Sequence, residues 1–133
     1  MPRQAINPDG LFDSLQYGFS QITVGQGSRF VTISGQVGWD ANAHMDDRQD
    51  LQRQTLKALD NLRLAIEAAG GSLDDILLLH IYIVEAAMPD QAAIGAALRQ
   101  VFASSPPAAS WIGVPCLSEP DFLVEIEALA VVG

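Results

Sequence analysis

The sequence predicts an α+β protein: a mixed sheet of element order β-β-α-β-α-β-β with two helices on one sheet face. Three observations predict it. Only two stretches carry apolar residues at helical spacing, while five others read as strands bounded by turn residues. Two helices cover one face of such a sheet and no more. The last strand-like run, "VEIEALAVV", puts apolar residues on both faces, with two glutamates among them. A chain of 133 residues, 49% hydrophobic and 17% charged, suffices for one core, so residues 1–133 are read as a single domain.

Gln21 to Val24 and Phe30 to Val37 read as strands separated by Gly25-Gln26-Gly27-Ser28, and an antiparallel pair is the simplest arrangement. There is room for a short extra strand near Arg3 to Ile6. From about Asp50 to Ala69, the residues Leu51, Leu56, Leu59, Leu62, Ile66 and Ala69 lie mostly three or four apart, and Arg53, Lys57, Asp60 and Glu67 fall largely elsewhere around the turn. This is an amphipathic helix, closed by Gly70-Gly71. Ser72-Leu73-Asp74-Asp75 is a short capped turn, and the nearly all-apolar run Ile76 to Val84 fits a central strand buried on both faces. Pro89 and Asp90 open a second helix with the stripe Ile94, Ala97, Leu98, Val101 and Phe102, which Ser104-Ser105-Pro106-Pro107 stops. Two strands follow, Ala109 to Leu117 and Phe122 to Val132, joined by Ser118-Glu119-Pro120-Asp121.

Composition then excludes function classes. Sixteen acidic residues against seven basic ones give a net charge of −9 with no basic cluster, which argues against a nucleic-acid surface. The longest apolar runs are too short to span a bilayer, and Met1-Pro2-Arg3-Gln4 has no apolar signal region behind it, so a cytoplasmic protein with no membrane partner is expected. One cysteine, Cys116, makes neither an intramolecular disulfide nor a zinc site. In the last strand Val124, Ile126, Ala128 and Ala130 point one way, and Glu125, Glu127, Leu129 and Val131 the other. The face without helices is expected to bury itself against further subunits, with the glutamates at the rim of that interface.

Three segments, "FVTISGQVG" (30–38), "TLKALDNLRLAIEAAGGSLDDILLLHIYI" (55–83) and "PPAASWIGVPCLSEPDFLVEIEALAVV" (106–132), together resemble the reactive intermediate deaminase (Rid, or YjgF-like) family. The resemblance covers nearly the whole chain. It implies a chorismate-mutase-like fold, a homotrimer with its sheets at the centre, a small-molecule ligand in clefts between subunits, and no cofactor or metal. It also implies that Glu125, the first glutamate of "VEIEA", orients or activates water attacking an imine carbon, and that Gly35 of "SGQ" offers its backbone to the ligand. The imine-hydrolysing members carry an arginine in a "PARS" motif that grips the substrate carboxylate; here the motif reads Pro107-Ala108-Ala109-Ser110, and Ala109 stands at the clamp. Arg29 and Arg99 are the arginines to examine as replacement donors. Gly18-Phe19-Ser20-Gln21 is similar to a "PYSQ" segment, which puts Phe19 at the tyrosine position, with Tyr17 a candidate substitute for the hydroxyl. Trp111, two residues past Ala109, reads either as the wall of a roomier aromatic pocket or as a core or interface tryptophan.

The remaining candidates have bland alternatives. Glu127 reads as a structural hydrogen-bonding group, whereas Glu125 divides evenly between that and a site role. His80 reads as a satisfied core histidine. His44, with Asp40, Asp46 and Asp47 nearby, reads as part of a solvated acidic loop rather than a metal site. Trp39 reads as a cleft wall or a loop anchor, and Cys116 as a structural thiol on a strand face opposite Trp111. Two functions follow: hydrolysis of an imine, enamine or related unstable carbonyl derivative, or non-catalytic metabolite binding by a trimer. Some members of the family are described as ribonucleases, and the acidic charge makes that a distant third.

Overall fold

A computed structural model describes residues 2–46 and 48–133, and among these six strands and two α-helices form. In chain order they are β1 (Gln4–Ile6), β2 (Ile22–Val24), β3 (Arg29–Gln36), α1 (Leu51–Ala68), β4 (Ile76–Val84), α2 (Ala92–Phe102), β5 (Ala108–Val114) and β6 (Val124–Val132). The main sheet has the order β3-β6-β4-β5, antiparallel except for the parallel β4–β5 pair. Both helices pack on one face of it, as the element pattern predicts.

Local chemistry sets the helix ends. The Asp50 carboxylate accepts a hydrogen bond from the Arg53 backbone N–H at 3.0 Å and so caps α1, a contact worth about 1 kcal/mol. The buried stripe Leu51, Leu59, Leu62 and Ile66 faces the sheet. After the helix, Gly70 turns left-handed at φ 89°, and Ser72 and Asp75 cap the next turn reciprocally. The segment Glu85–Asp90, which contains Pro89, forms a 3-10 turn, so α2 begins two residues later than Pro89-Asp90 predicts.

Strand pairing departs from the simplest reading. β2 pairs with β1 in a separate two-stranded sheet, and β3 pairs with β6. The turn between them explains this. Gly25 lies against the Leu77 side chain, Gly27 against Val131 and Val132, and the Ser28 N–H donates to the Val132 carbonyl at 3.1 Å, so the chain enters β3 already beside β6. β5 stops at Val114, before Pro115, which has no N–H for a ladder; Cys116 is therefore exposed outside any strand.

Beneath the helices, Leu79, Ile81 and Ile83 of β4 and Val124, Ile126, Ala128, Ala130 and Val132 of β6 are buried. On the other face Leu78, His80 and Tyr82 of β4 and Glu125, Glu127, Leu129 and Val131 of β6 are only half-buried, because no helix covers them. The reading of β4 as buried on both faces thus holds for one face of the single chain. Phe30 stands 80% exposed on the neighbouring strand. Among the described residues no helix is long and apolar enough to cross a membrane.

Candidate functional site

The candidate residues fall into two groups at opposite ends of the sheet order. The first group forms where β3 meets β6. Ile33 opposes Ala128 and Gln36 opposes Ile126, so Ser34 and Gly35 together face the single residue Glu127, which makes a bulge. Glu125 lies across Gly35: a Cβ built there would collide with Oε2 and stand 2.7 Å from Cδ. Only glycine leaves room for that carboxylate. The two residues line a cavity of about 500 Å³ with Trp39, Phe122 and Asn61. Asn61, which sequence reasoning missed, donates to the carbonyls of Val37 (3.0 Å) and Trp39 (2.9 Å) and so holds the loop after β3. Trp39 packs edge-on against Phe122 at 4.8 Å, so it is both a cavity wall and a loop anchor.

Glu125 and Glu127 share a face and differ in partners. The Tyr82 hydroxyl donates to Glu127 Oε1 at 2.7 Å, and His80 Nδ1 lies 2.9 Å from the same oxygen. Those hydrogen bonds, Tyr82's first and His80's second, hold the Glu127 carboxyl below the ordinary value, and the same contact pushes the Tyr82 phenol up. His80 is satisfied as expected but sits half-exposed on the open sheet face rather than in the core. Among the described residues the Glu125 side chain has no hydrogen-bond partner.

The second group forms at the β5 edge. The Ser20 hydroxyl donates to Pro106 O at 2.6 Å and its N–H to Pro107 O at 3.0 Å, and Ser20 bridges Ala108 in parallel. This lays Phe19 beside Trp111, with ring centroids 6.2 Å apart, and Phe12 adds a third ring 6.2 Å from Phe19. Tyr17 reaches the same cavity from a 3-10 turn, not from the extended chain its spacing suggested. Gly18 makes that turn at φ 93°, where a Cβ would meet Leu98 Cβ at 2.8 Å. The cavity, about 590 Å³, lies between these aromatics and α2. The Trp111 Nε1 is buried without an acceptor among the described residues, so the indole serves as an apolar wall.

Ala109 pairs with Leu79 and Trp111 with Ile81, which places both on the helix-bearing face. Glu125 pairs with Tyr82 on the opposite face. Within one chain an arginine at position 109 would therefore lie on the other sheet face from Glu125. In the acidic loop, His44 Nε2 lies 2.8 Å from Asp46 Oδ1 while the Asp40 carboxylate accepts from the backbone N–H groups of Asn42 and His44; Asp47 lies outside the described residues. A larger depression of about 840 Å³ beside Asp46, Asp50 and Asp90 contains none of the predicted site residues.

A small α+β protein with one bare sheet face and a cavity at each end of that sheet is the class these observations define. The chain belongs to the Rid, or YjgF-like, family: residues 14–132 match the family model described as Endoribonuclease L-PSP. It is 34% identical over 101 residues to a RutC family protein of Pyrococcus horikoshii, covering 76% of this chain and 78% of that one. Its structure is similar to that of YyfB, a conserved Rid-family protein of unknown function from Yersinia pestis, with a TM-score of 0.90 and 37% identity over 99% and 100% of the two chains. It is also similar to E. coli TdcF with bound serine, with a TM-score of 0.71 and 28% identity over 97% and 94%.

Proposed function

We propose that this protein hydrolyses an imine, enamine or related reactive carbonyl derivative in a cleft that two copies of the chain complete. The Gly35–Glu125 half of one subunit meets the Phe19–Trp111 half of the next. The observation that carries the reading is the contrast between the two glutamates: Glu127 is occupied by Tyr82 and His80, whereas Glu125 lies over a glycine backbone in a cavity with no hydrogen-bond donor on either oxygen among the described residues. A carboxylate so placed takes a proton from an attacking water, while the bare Gly35 backbone lets the substrate approach. The hydroxyl adds to the C=N carbon, the proton held by Glu125 passes to the nitrogen, and the carbinolamine breaks its C–N bond as its hydroxyl proton follows by way of the same carboxylate, releasing the amine and the carbonyl product.

The second reading, a non-catalytic trimer that binds a metabolite, is favoured by Ala109, which supplies no guanidinium beside the reacting centre. The bound serine in E. coli TdcF supports small-molecule binding under either reading. Substitution of each glutamate decides between them. With an imine generated in the assay from an amine oxidation, Glu125→Gln is expected to lower hydrolysis about a hundredfold, and Glu127→Gln less than tenfold. Equal rates for wild type and Glu125→Gln would replace the hydrolase by the binding protein.

A further inference from the structure

The geometry points to Arg99 as an anion anchor that selects carboxylates of aromatic, or similarly flat and apolar, molecules for the Phe19–Trp111 cavity. Arg99 is the one charged residue that lines this cavity among the described residues. Its guanidinium folds back along α2 over Gly95, where an added Cβ would stand 3.4 Å from Nη1, and Nη1 donates to the Gln16 carbonyl at 2.6 Å. That single bond fixes the group. Of the five N–H donors of a guanidinium, the others have no acceptor among the described residues, and no carboxylate pairs with it. Arg29, the other replacement considered, bonds instead to the Ala69 carbonyl at 3.0 Å and does not line the cavity.

The walls define the rest of the ligand. Phe19, Tyr17 and Trp111 present ring surfaces, and Gln16 and Gln91 beside them are neutral, so charge recognition falls to Arg99. One guanidinium matches one carboxylate in a bidentate fork. A phosphate dianion would bring a second charge into a chain of net charge −9 with no second cation at the cavity, which favours the carboxylate. The inference rests on the cleft reading for its place in a reaction. There it adds that the substrate's carboxylate is held from α2, not from the β5 position of Ala109, and so lies away from the reacting carbon.

The test compares phenylacetate with neutral phenylacetamide by ligand-observed NMR titration of the full-length protein. Wild type is expected to bind the acid about ten- to a hundredfold more tightly than the amide, as a hydrogen bond to a charged group implies. Arg99→Gln should erase that preference while leaving the amide's affinity unchanged, which also shows the pocket intact, and Arg99→Lys should keep part of it. Equal binding of acid and amide by wild type, a preference that survives in Arg99→Gln, or no binding of phenylacetate at millimolar concentration would each overturn the anchor. Hydrolysis that is indifferent to Glu125, with acid selectivity intact, would sink the hydrolase and leave the anchor standing.

Discussion

At the scale of single residues, two glutamates two positions apart on one strand face have been given different work by their neighbours. The alternation of "VEIEA" puts both on the open face, but nothing in those letters tells which one Tyr82 and His80 will hold. The antiparallel register sets His80 opposite Glu127 and Tyr82 opposite Glu125. Tyr82 reaches two positions along β6 to Glu127 rather than bonding the glutamate directly across from it. A carboxyl whose pKa is lower in the folded than in the unfolded chain adds stability above the unfolded value, and that stability is lost as pH falls through the folded one. Glu127 is such a group, lowered first by Tyr82 and then by His80. Glu127→Gln should therefore unfold at a lower temperature than wild type at neutral pH, and the gap should close as pH drops below the ordinary glutamate value of 4.5. Thermal melts across that range measure it; a gap that stays constant down to strongly acid pH would show that the network does not stabilise the fold.

Among the elements, periodicity and capping were legible and pairing was not. Asp50, Gly70 and the Ser72–Asp75 box mark their boundaries through short-range hydrogen bonds written in adjacent letters, and α1 begins and ends where they say. Which strand lies beside which depends on contacts dozens of residues apart, so β2 going to β1, and β6 inserting between β3 and β4, had no local signal. The site divides the same way. Gly35, Glu125, Phe19 and Trp111 were visible as motif positions, whereas Asn61 and Tyr82 act through partners more than 20 residues distant and read as ordinary helix and strand residues. Gly18 illustrates a local letter with a long-range reason: its φ of 93° is favourable for glycine, and the neighbour a side chain would strike, Leu98, is on α2. Gly18→Ala should lower stability by about 1–3 kcal/mol and displace Phe19 from Trp111. Denaturant melts give the first quantity, and a near-unchanged midpoint would mean that the turn relaxes without strain.

For the molecule as a whole, the two candidate groups stand on one chain without meeting, and the open sheet face carries an exposed Phe30 and half-buried Leu129 and Val131. A closed ring of three copies would cover that face and, because each contact in a ring is head to tail, would join the Glu125 half of one subunit to the aromatic half of the next. Two outcomes follow from this arrangement. Light scattering of wild type should give three times the chain mass, and Phe30→Asp, which sets a charge in the covered face, should shift the mass toward monomer and remove hydrolysis with it. The sharper outcome comes from mixing. Glu125→Gln spoils one half-site and Trp111→Ala the other, so homotrimers of either should be nearly inactive. After unfolding and joint refolding in equal amounts, a head-to-tail ring places an intact Glu125 next to an intact Trp111 at roughly a quarter of the contacts. Activity should then recover to roughly a quarter of wild type, well above either parent. If both halves of the site belonged to the same chain, every site in the mixture would keep one defect and no activity would return, so the mixed refolding separates a shared cleft from a cleft within one subunit.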